Sequence, residues 1–358
     1  MQPHPGVPTD SRSSDLIRRL PAEWERQRMA LLTWPHAGGD WGSDLAAAEA
    51  AFLDLARAIA KHQPLVIACQ DERIADRVST ALRNAGTVSV HTVPSDDIWI
   101  RDHGPITVLD GDNRPRLLDF RFNGWGGKYP ASRDDAVSRS LHRLGAFGGL
   151  SMESIPWVLE GGSVDSDGAG TLLTTSRCLL DDARNRGTDR PWWEARFHEW
   201  FGVNRVLWLD HGELEGDDTD GHVDMLARFV ARDTIVHVAC DDPADAHHEA
   251  LQRMEAQLRG FRDASGQPYN LVPLPWPAAR YDEERQRLPL SYANFLLIND
   301  AVLMPCYDQV RDEAALSLIA SLFPRRSVVP VPAMALIRQR GSVHCATQQI
   351  VAGRRADW

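Results

Sequence analysis

The segment RGSVHCATQQI sets the Cys345 thiol beside an imidazole in a short apolar stretch closed by two glutamines. Such a cysteine can be core filler, a disulfide partner, a metal ligand or a nucleophile. Other segments carry comparable chemistry. DDIWIRDHGP holds Trp99 and Asp102, LEGGSVD sets Glu160 against paired glycines, and DDTDGHVDMLARFV supplies His222 and Asp224. In extended chain, Asp102 would share a face with Ile100, opposite Arg101 and Trp99, and His222 would share a face with Asp224. By the same alternation His344 points away from Cys345 and cannot serve as its base. That leaves His222 as the histidine in a comparably polar, strand-borne setting.

Each segment alone has an ordinary reading. DDIWIRDHGP suits a surface turn, LEGG a tight turn, a lone histidine a structural contact, and a buried cysteine the core. GWGGKYP at 124–130 looks faintly like a phosphate loop but lacks the GK[ST] ending and is discounted. Together, one thiol, one imidazole and three carboxylates have a chemical meaning. Carboxylates bind a guanidinium through paired, charge-assisted hydrogen bonds in a flat fork. The guanidinium carbon is a poor electrophile. Fixing it against a thiolate and protonating the departing nitrogen makes it react, with no metal or cofactor required.

Elements able to position these groups are visible. DERIADRVSTALRNAG, DDAVSRSLHRLG, PWWEARFHEWF and AHHEALQRMEAQLRGF read as amphipathic helices, with Gly86 and Gly145 as stops and Pro191 in a first turn. PLVIAC, TVSVHT, RLLDFR, NRVLWL and SVVPV read as strands between them. The class is α/β. Apolar runs beginning at Ala30, Gly104, Gly170, Met225 and Asn294 recur at intervals of 55 to 74 residues, each with polar residues just before or inside it. Such a rhythm predicts similar units around one centre.

The chain of 358 residues is 43% hydrophobic and 25% charged, without a low-complexity tract or an evident linker. Residues 1–20 are expected to be disordered and residues 21–358 to form one catalytic domain. Neither a signal-peptide core nor an 18-residue apolar run occurs, so a cytoplasmic protein with no membrane partner is expected. Five widely spaced cysteines without a CxxC argue against a disulfide framework and a zinc cluster. A net charge of −11 disfavours nucleic acid and favours a small cation.

The segments LPAEWERQRMALLTWPH, DDIWIRDHGP, FNGWGGKY, LEGGSVD, DDTDGHVD and GSVHCATQQ, in that order, resemble the signatures of the agmatine deiminase family. That family includes bacterial peptidyl-arginine deiminases and lies within the guanidine-modifying superfamily. The resemblance runs from about Leu20 to Val351. It implies a five-bladed, pseudo-symmetric α/β propeller of the pentein type, built from ββαβ-like units with the site on the central axis. It further implies Cys345 as nucleophile and His222 as general acid and base. Asp102 and Asp224 would be guanidinium clamps, Glu160 a partner of His222 or substrate, and Trp99 a pocket wall. The implied reaction is agmatine plus water giving N-carbamoylputrescine and ammonia, through an amidino-thioether on Cys345. Three carboxylates around the empty site would raise the thiol pKa and a bound guanidinium would lower it, so the substrate would assist thiolate formation. Asp218 and Asp220 are the expected partners of the amine tail.

The approach to Cys345 departs from the family's Gly-rich, Asn-containing pattern: it reads RQRGSVHC, with Arg338 and Arg340 just before the site. An arginine facing the pocket would suit an α-carboxylate better than an amine. Free or peptidyl arginine, or amidino transfer, is therefore the nearest alternative, followed by a Cys–His acyl hydrolase and a non-catalytic guanidine binder. A homodimer is left open.

Overall fold

The computed structural model describes residues 18–307 and 310–353. Its sixteen strands, counted among the described residues, form five small sheets. Four sheets have three strands each, two joined as an antiparallel hairpin and the third added in parallel after a helix. They comprise Ile106–Leu109, Pro115–Arg121 and Met152–Val158; Val164–Ser166, Thr171–Thr175 and Arg205–Leu209; Ala227–Ala231, Thr234–Val238 and Asn270–Leu274; and Leu296–Ile298, Ala301–Cys306 and Ser327–Pro332. The crossover helices are Asp134–Arg143, Arg190–Phe201, His248–Gly260 and Arg311–Leu322.

The fifth sheet joins the two ends of the chain. Thr347–Val351 pairs antiparallel with Gln27–Thr33, which is followed through helix Leu45–Ala60 by the parallel strand Leu65–Cys69. Helix Glu72–Ala81 then returns a fourth strand, Val88–Thr92. Five ββαβ units are thus present, as the resemblance implied. The fold is the pentein-type α/β arrangement.

Local sequence explains the elements. Middle strands such as Leu65–Cys69, Thr171–Thr175 and Thr234–Val238 are buried along their whole length, as expected where helices cover a parallel pair. Asp71 caps Glu72–Ala81 by accepting from Ile74 N at 2.8 Å, and Asp189 caps Arg190–Phe201 by accepting from Trp192 N at 2.9 Å. In the latter helix Trp193, Phe197, Trp200 and Phe201 are buried, and Pro191 sits in the first turn. The four expected helices and five expected strands all form.

Two expectations need correction. IWIRDHG is not extended: Ile100–His103 is a short helical turn, with Asp102 on one side and Arg101 on another. His222 and Asp224 are likewise joined by the turn Val223–Met225, and the strand begins only at Ala227. The rhythm read from the sequence also mixes first and second strands. In the true repeat, Asp102, Glu160, Asp224, Asn294 and Cys345 each stand just ahead of the first strand of one unit. Of the expected disordered segment, residues 1–17 lie outside the described residues, while Arg19 forms a bridge with Leu109. No helix among the described residues is long and apolar enough to cross a membrane.

Candidate active site

The lead-ins to the five first strands meet at one place, and the glycines of LEGG explain how. Gly162 donates its N–H to Asp102 Oδ1 at 3.0 Å. A Cβ on Gly162 would lie 2.6 Å from His222 Nδ1, 2.9 Å from Asp102 Oδ1 and 3.1 Å from Asp224 Oδ2. A side chain at this position would occupy the space where these three groups converge.

Cys345 is buried, and its Sγ faces two partners. Asn294 Nδ2 donates to it at 3.1 Å, and the thiol reaches Asp224 Oδ2 at 3.6 Å. Asn294 ties this corner together, also donating to Asp224 Oδ2 at 3.2 Å and accepting from the backbone of His344 and Cys345 at 2.9 and 3.3 Å. Asp224 Oδ2 further contacts His344 Nδ1 at 2.8 Å, whereas Oδ1 is buried without a partner. One oxygen of this carboxylate is fully engaged and the other is open to an incoming donor.

The expected alternation of His344 and Cys345 does not apply, because residues 343–346 form a turn and the strand begins only at Thr347. His344 Nδ1 shares Asp224 Oδ2 with the thiol, and its other nitrogen meets a buried chain of charge. Its Nε2 lies 2.7 Å from Glu23, which takes Arg228 Nη2 at 2.5 Å, and Arg228 in turn approaches Asp165 at 3.5 Å. Burial opposes ionisation of Asp224, but His344, His222 and Arg228 outweigh it and hold the carboxyl below its usual range.

His222, fully buried, sets Nε2 3.0 Å from Glu160 and leaves Nδ1 without a hydrogen bond, 3.6 Å from Asp102. Arg184 Nε donates to both Glu160 oxygens at 2.9 Å and is balanced by Asp181 and Asp220 at 2.8 and 2.7 Å. Burial disfavours a charged imidazole here, yet Asp102, Cys178 and Glu160 raise His222 well above the ordinary histidine range. Asp102 moves the other way from Asp224. Burial and the Glu160 and Asp224 charges push it up to about 6, against His222 and the Trp125 N–H. Cys345 is raised well above the usual thiol by burial and by Asp224 and Asp102. Cys345 is therefore held as a thiol.

The floor opens into a cleft of about 110 Å³ lined by Trp99, Asp102, Trp125, Tyr129, Asp218 and Cys345, together with Asp40, Asp97, Arg338 and Arg340. GWGGKYP is part of this wall. Residues 124–127 all have positive φ, and this left-handed turn sends Trp125 Nε1 to Asp102 Oδ2 at 3.0 Å. Asp218 lines the cleft and accepts from Tyr129 OH at 2.8 Å. Asp220 does not: its carboxylate is held by Arg184 and by Lys128 at 2.6 Å. Loop charges needed to satisfy buried Arg184 took the residue the sequence suggested for the tail.

Sequence reasoning missed Asn294, Trp125, Tyr129, Asp97 and the Glu23–His344 pair. Asn294 stood at the start of an apolar run in the rhythm, so its position carried a signal. Glu160 Oε2, Cys178 Sγ and His222 Nε2 lie within 4.8 Å of one another and are donor types that can hold zinc. Arg184 already occupies Glu160, so a dication there would face a buried guanidinium.

Comparison with known proteins agrees with this geometry. The family described as Porphyromonas-type peptidyl-arginine deiminase matches residues 19–350. The chain is 32% identical to the agmatine deiminase of Pseudomonas aeruginosa (strain LESB58), over 98% of this chain and 99% of that protein. It is 34% identical to that of Stutzerimonas stutzeri (strain A1501), over 92% and 94%. A Cys-to-Ser variant of C. jejuni agmatine deiminase with substrate bound superposes with a TM-score of 0.87 at 32% identity, covering 94% of this chain and 97% of its own. A Porphyromonas gingivalis protein provisionally named an arginine deiminase gives 0.86 at 44% identity, covering 94% and 100%. The chain belongs to the Porphyromonas-type peptidyl-arginine deiminase family.

Proposed function

We propose that this protein hydrolyses the guanidinium group of agmatine to N-carbamoylputrescine and ammonia. The observation that carries the reading is the pairing of open and engaged atoms on the floor. Asp224 Oδ1 and His222 Nδ1 are buried and unpartnered beside Asp102, while their other atoms are fixed by His344, Asn294 and Glu160. A flat, multiply donating cation satisfies the open Asp224 oxygen and Asp102, while the protonated His222 Nδ1 stays free to donate to a departing nitrogen. Names of relatives that include agmatine deiminase support the same substrate.

In this reading Asp102 and Asp224 clamp the guanidinium, with Trp99 and Trp125 as walls. The bound cation offsets the carboxylates that hold Cys345 as a thiol, and the thiol proton passes to solvent as the substrate docks. The thiolate then attacks the guanidinium carbon. His222, kept protonated by Asp102 and Glu160, gives its proton to the departing nitrogen, and ammonia leaves as an amidino-thioether forms on Cys345. His222 next takes a proton from water, which adds to the same carbon, and collapse releases the ureido product and Cys345. Glu160, braced by Arg184, orients the imidazole. Asp218 meets the amine at the far end.

Ammonia release from agmatine, free arginine and a blocked arginine peptide, with Cys345→Ser as control, tests this. Release from agmatine that the variant loses is expected. Release unchanged in Cys345→Ser would refute the role of the thiol, and silence on agmatine would refute the substrate. The residue assignments, a single catalytic domain over residues 21–358 and action inside the cytoplasm belong to this proposal.

A further inference from the structure

The outer cleft carries charges of both signs, and one of its cations is held in an unusual way. Asp40, Asp97 and Asp218 share this region with Arg338 and Arg340. Arg338 is turned to Asp44, with Nη1 2.9 Å from the carboxylate. Arg340 has no such close partner: Asp282 is 3.9 Å from its Nη2. Instead, its Nη1 donates to Gly216 O at 3.0 Å and its Nη2 to Gln286 Oε1 at 2.8 Å. Two loops thus grip the guanidinium through neutral acceptors at hydrogen-bond distance, with Asp282 only at the edge of ion-pair range, so its position is fixed while its charge is only partly offset. A guanidinium has five N–H donors, so donors remain for a ligand.

The backbone at Arg340 is equally distinctive, with a φ of 67°. That is left-handed territory, where glycine sits freely and arginine does not. Gly341 follows at a point where a Cβ would strike the Trp99 ring at 2.3 Å. The chain passes close over the cleft wall here, and it presents an arginine where the backbone itself favours glycine. The Arg340 charge acts on both Asp218 and the Tyr129 hydroxyl, the pair at the expected tail position.

We propose that Arg340 determines specificity at the far end of the substrate, admitting a carboxylate beside the amine and weakening the hold on a tail that carries an amine alone. The acids of the outer cleft attract an ammonium. Arg340 repels it and attracts an anion, in the forked geometry that suits a carboxylate. An α-amino acid end places both charges on adjacent atoms and matches both walls. The ligand class is therefore guanidino acids with free α-amino and α-carboxylate groups, accepted in addition to amine-ended guanidines. This rests on the deiminase reading of the floor.

The test compares kcat/KM for agmatine and free arginine in the wild type, Arg340→Gly and Arg340→Lys. The glycine variant suits the local backbone and should raise the agmatine-to-arginine ratio by about tenfold, mainly through KM. Lysine, which keeps the charge but loses the fork, should shift the ratio clearly less than glycine does. A ratio unmoved in Arg340→Gly would overturn the proposal, as would equal shifts in both variants. Calorimetric binding of the two ligands to Cys345→Ser, with and without Arg340→Gly, reads the same ratio without turnover. A failed deiminase reading then shows as silent turnover with the binding ratio still shifted, and a failed specificity reading as an unmoved ratio.

Discussion

The floor and the mouth of the cleft are built from different parts of the fold. Floor groups stand just ahead of the first strands of the five units, and all are buried: Asp102, Glu160, Asp224 and Asn294 are between 0% and 4% exposed, and Cys345 is 5% exposed. Each is fixed by a partner that is itself buried. Mouth groups, including Asp97, Asp218, Arg338 and Arg340, come from connecting loops. A ring of repeated strand ends gives a rigid chemical centre, whereas loops can change charge without disturbing it. Chemistry and tail selectivity should therefore separate experimentally, with floor variants lowering kcat and mouth variants raising KM.

The largest effect is expected from His222, the proposed acid and base. His222→Asn should lower kcat by about 10²–10⁴-fold, read as steady-state ammonia release. A loss confined to KM would move His222 from the floor's chemistry to binding.

Gly162→Ala changes no charge yet places a methyl within 2.6 Å of His222 Nδ1. It should remove most activity while costing about 1–3 kcal/mol of stability from overpacking, measured by denaturant unfolding. Full activity would show that the three groups do not converge as described.

In the mouth, Asp218→Asn should raise KM for agmatine by about tenfold and leave kcat within about twofold, since its partners Tyr129 and Asp97 lie in the cleft wall and not among the floor groups. A kcat loss as large as that of His222→Asn would erase the division between the regions.

The smallest effect separates the regions by pH. Burial together with the Asp40 and Asp218 charges, against the Ile98 N–H and Trp99, pushes Asp97 up to about 7, while Asp102 stands at about 6. Both must be ionised to attract a cation, so kcat/KM should be full above these values and fall as pH drops through about 7 and then about 6. Asp97→Asn should remove the upper step and keep the lower one, seen in the pH profile of kcat/KM. A profile identical to wild type would deny the mouth its part in binding.

Legibility followed the same division. Helices and strands read well because amphipathic spacing, the Asp71 cap and Pro191 act locally. Cys345, His222, Asp102, Asp224, Glu160 and Trp99 were singled out because their lead-ins carry dense polar chemistry, and the fold brings those segments to one place. Two turns were read as extended because Ile100–His103 and Val223–Met225 are too short to show helical periodicity. Asn294 was hidden by the apolar run that follows it. Trp125 depends on a left-handed turn that a discounted glycine motif permits, and Glu23 reaches His344 only because the chain ends share a sheet. Asp220 was misassigned because nothing local reveals that Arg184 and Lys128 claim it.

The most direct test of the central claim is acid quench of the enzyme during agmatine turnover, followed by mass analysis of the peptide holding Cys345. A transient covalent mass increase is expected on that cysteine, equal to agmatine less ammonia and absent in Cys345→Ser. Ammonia release with no adduct on Cys345 at any quench time would contradict it.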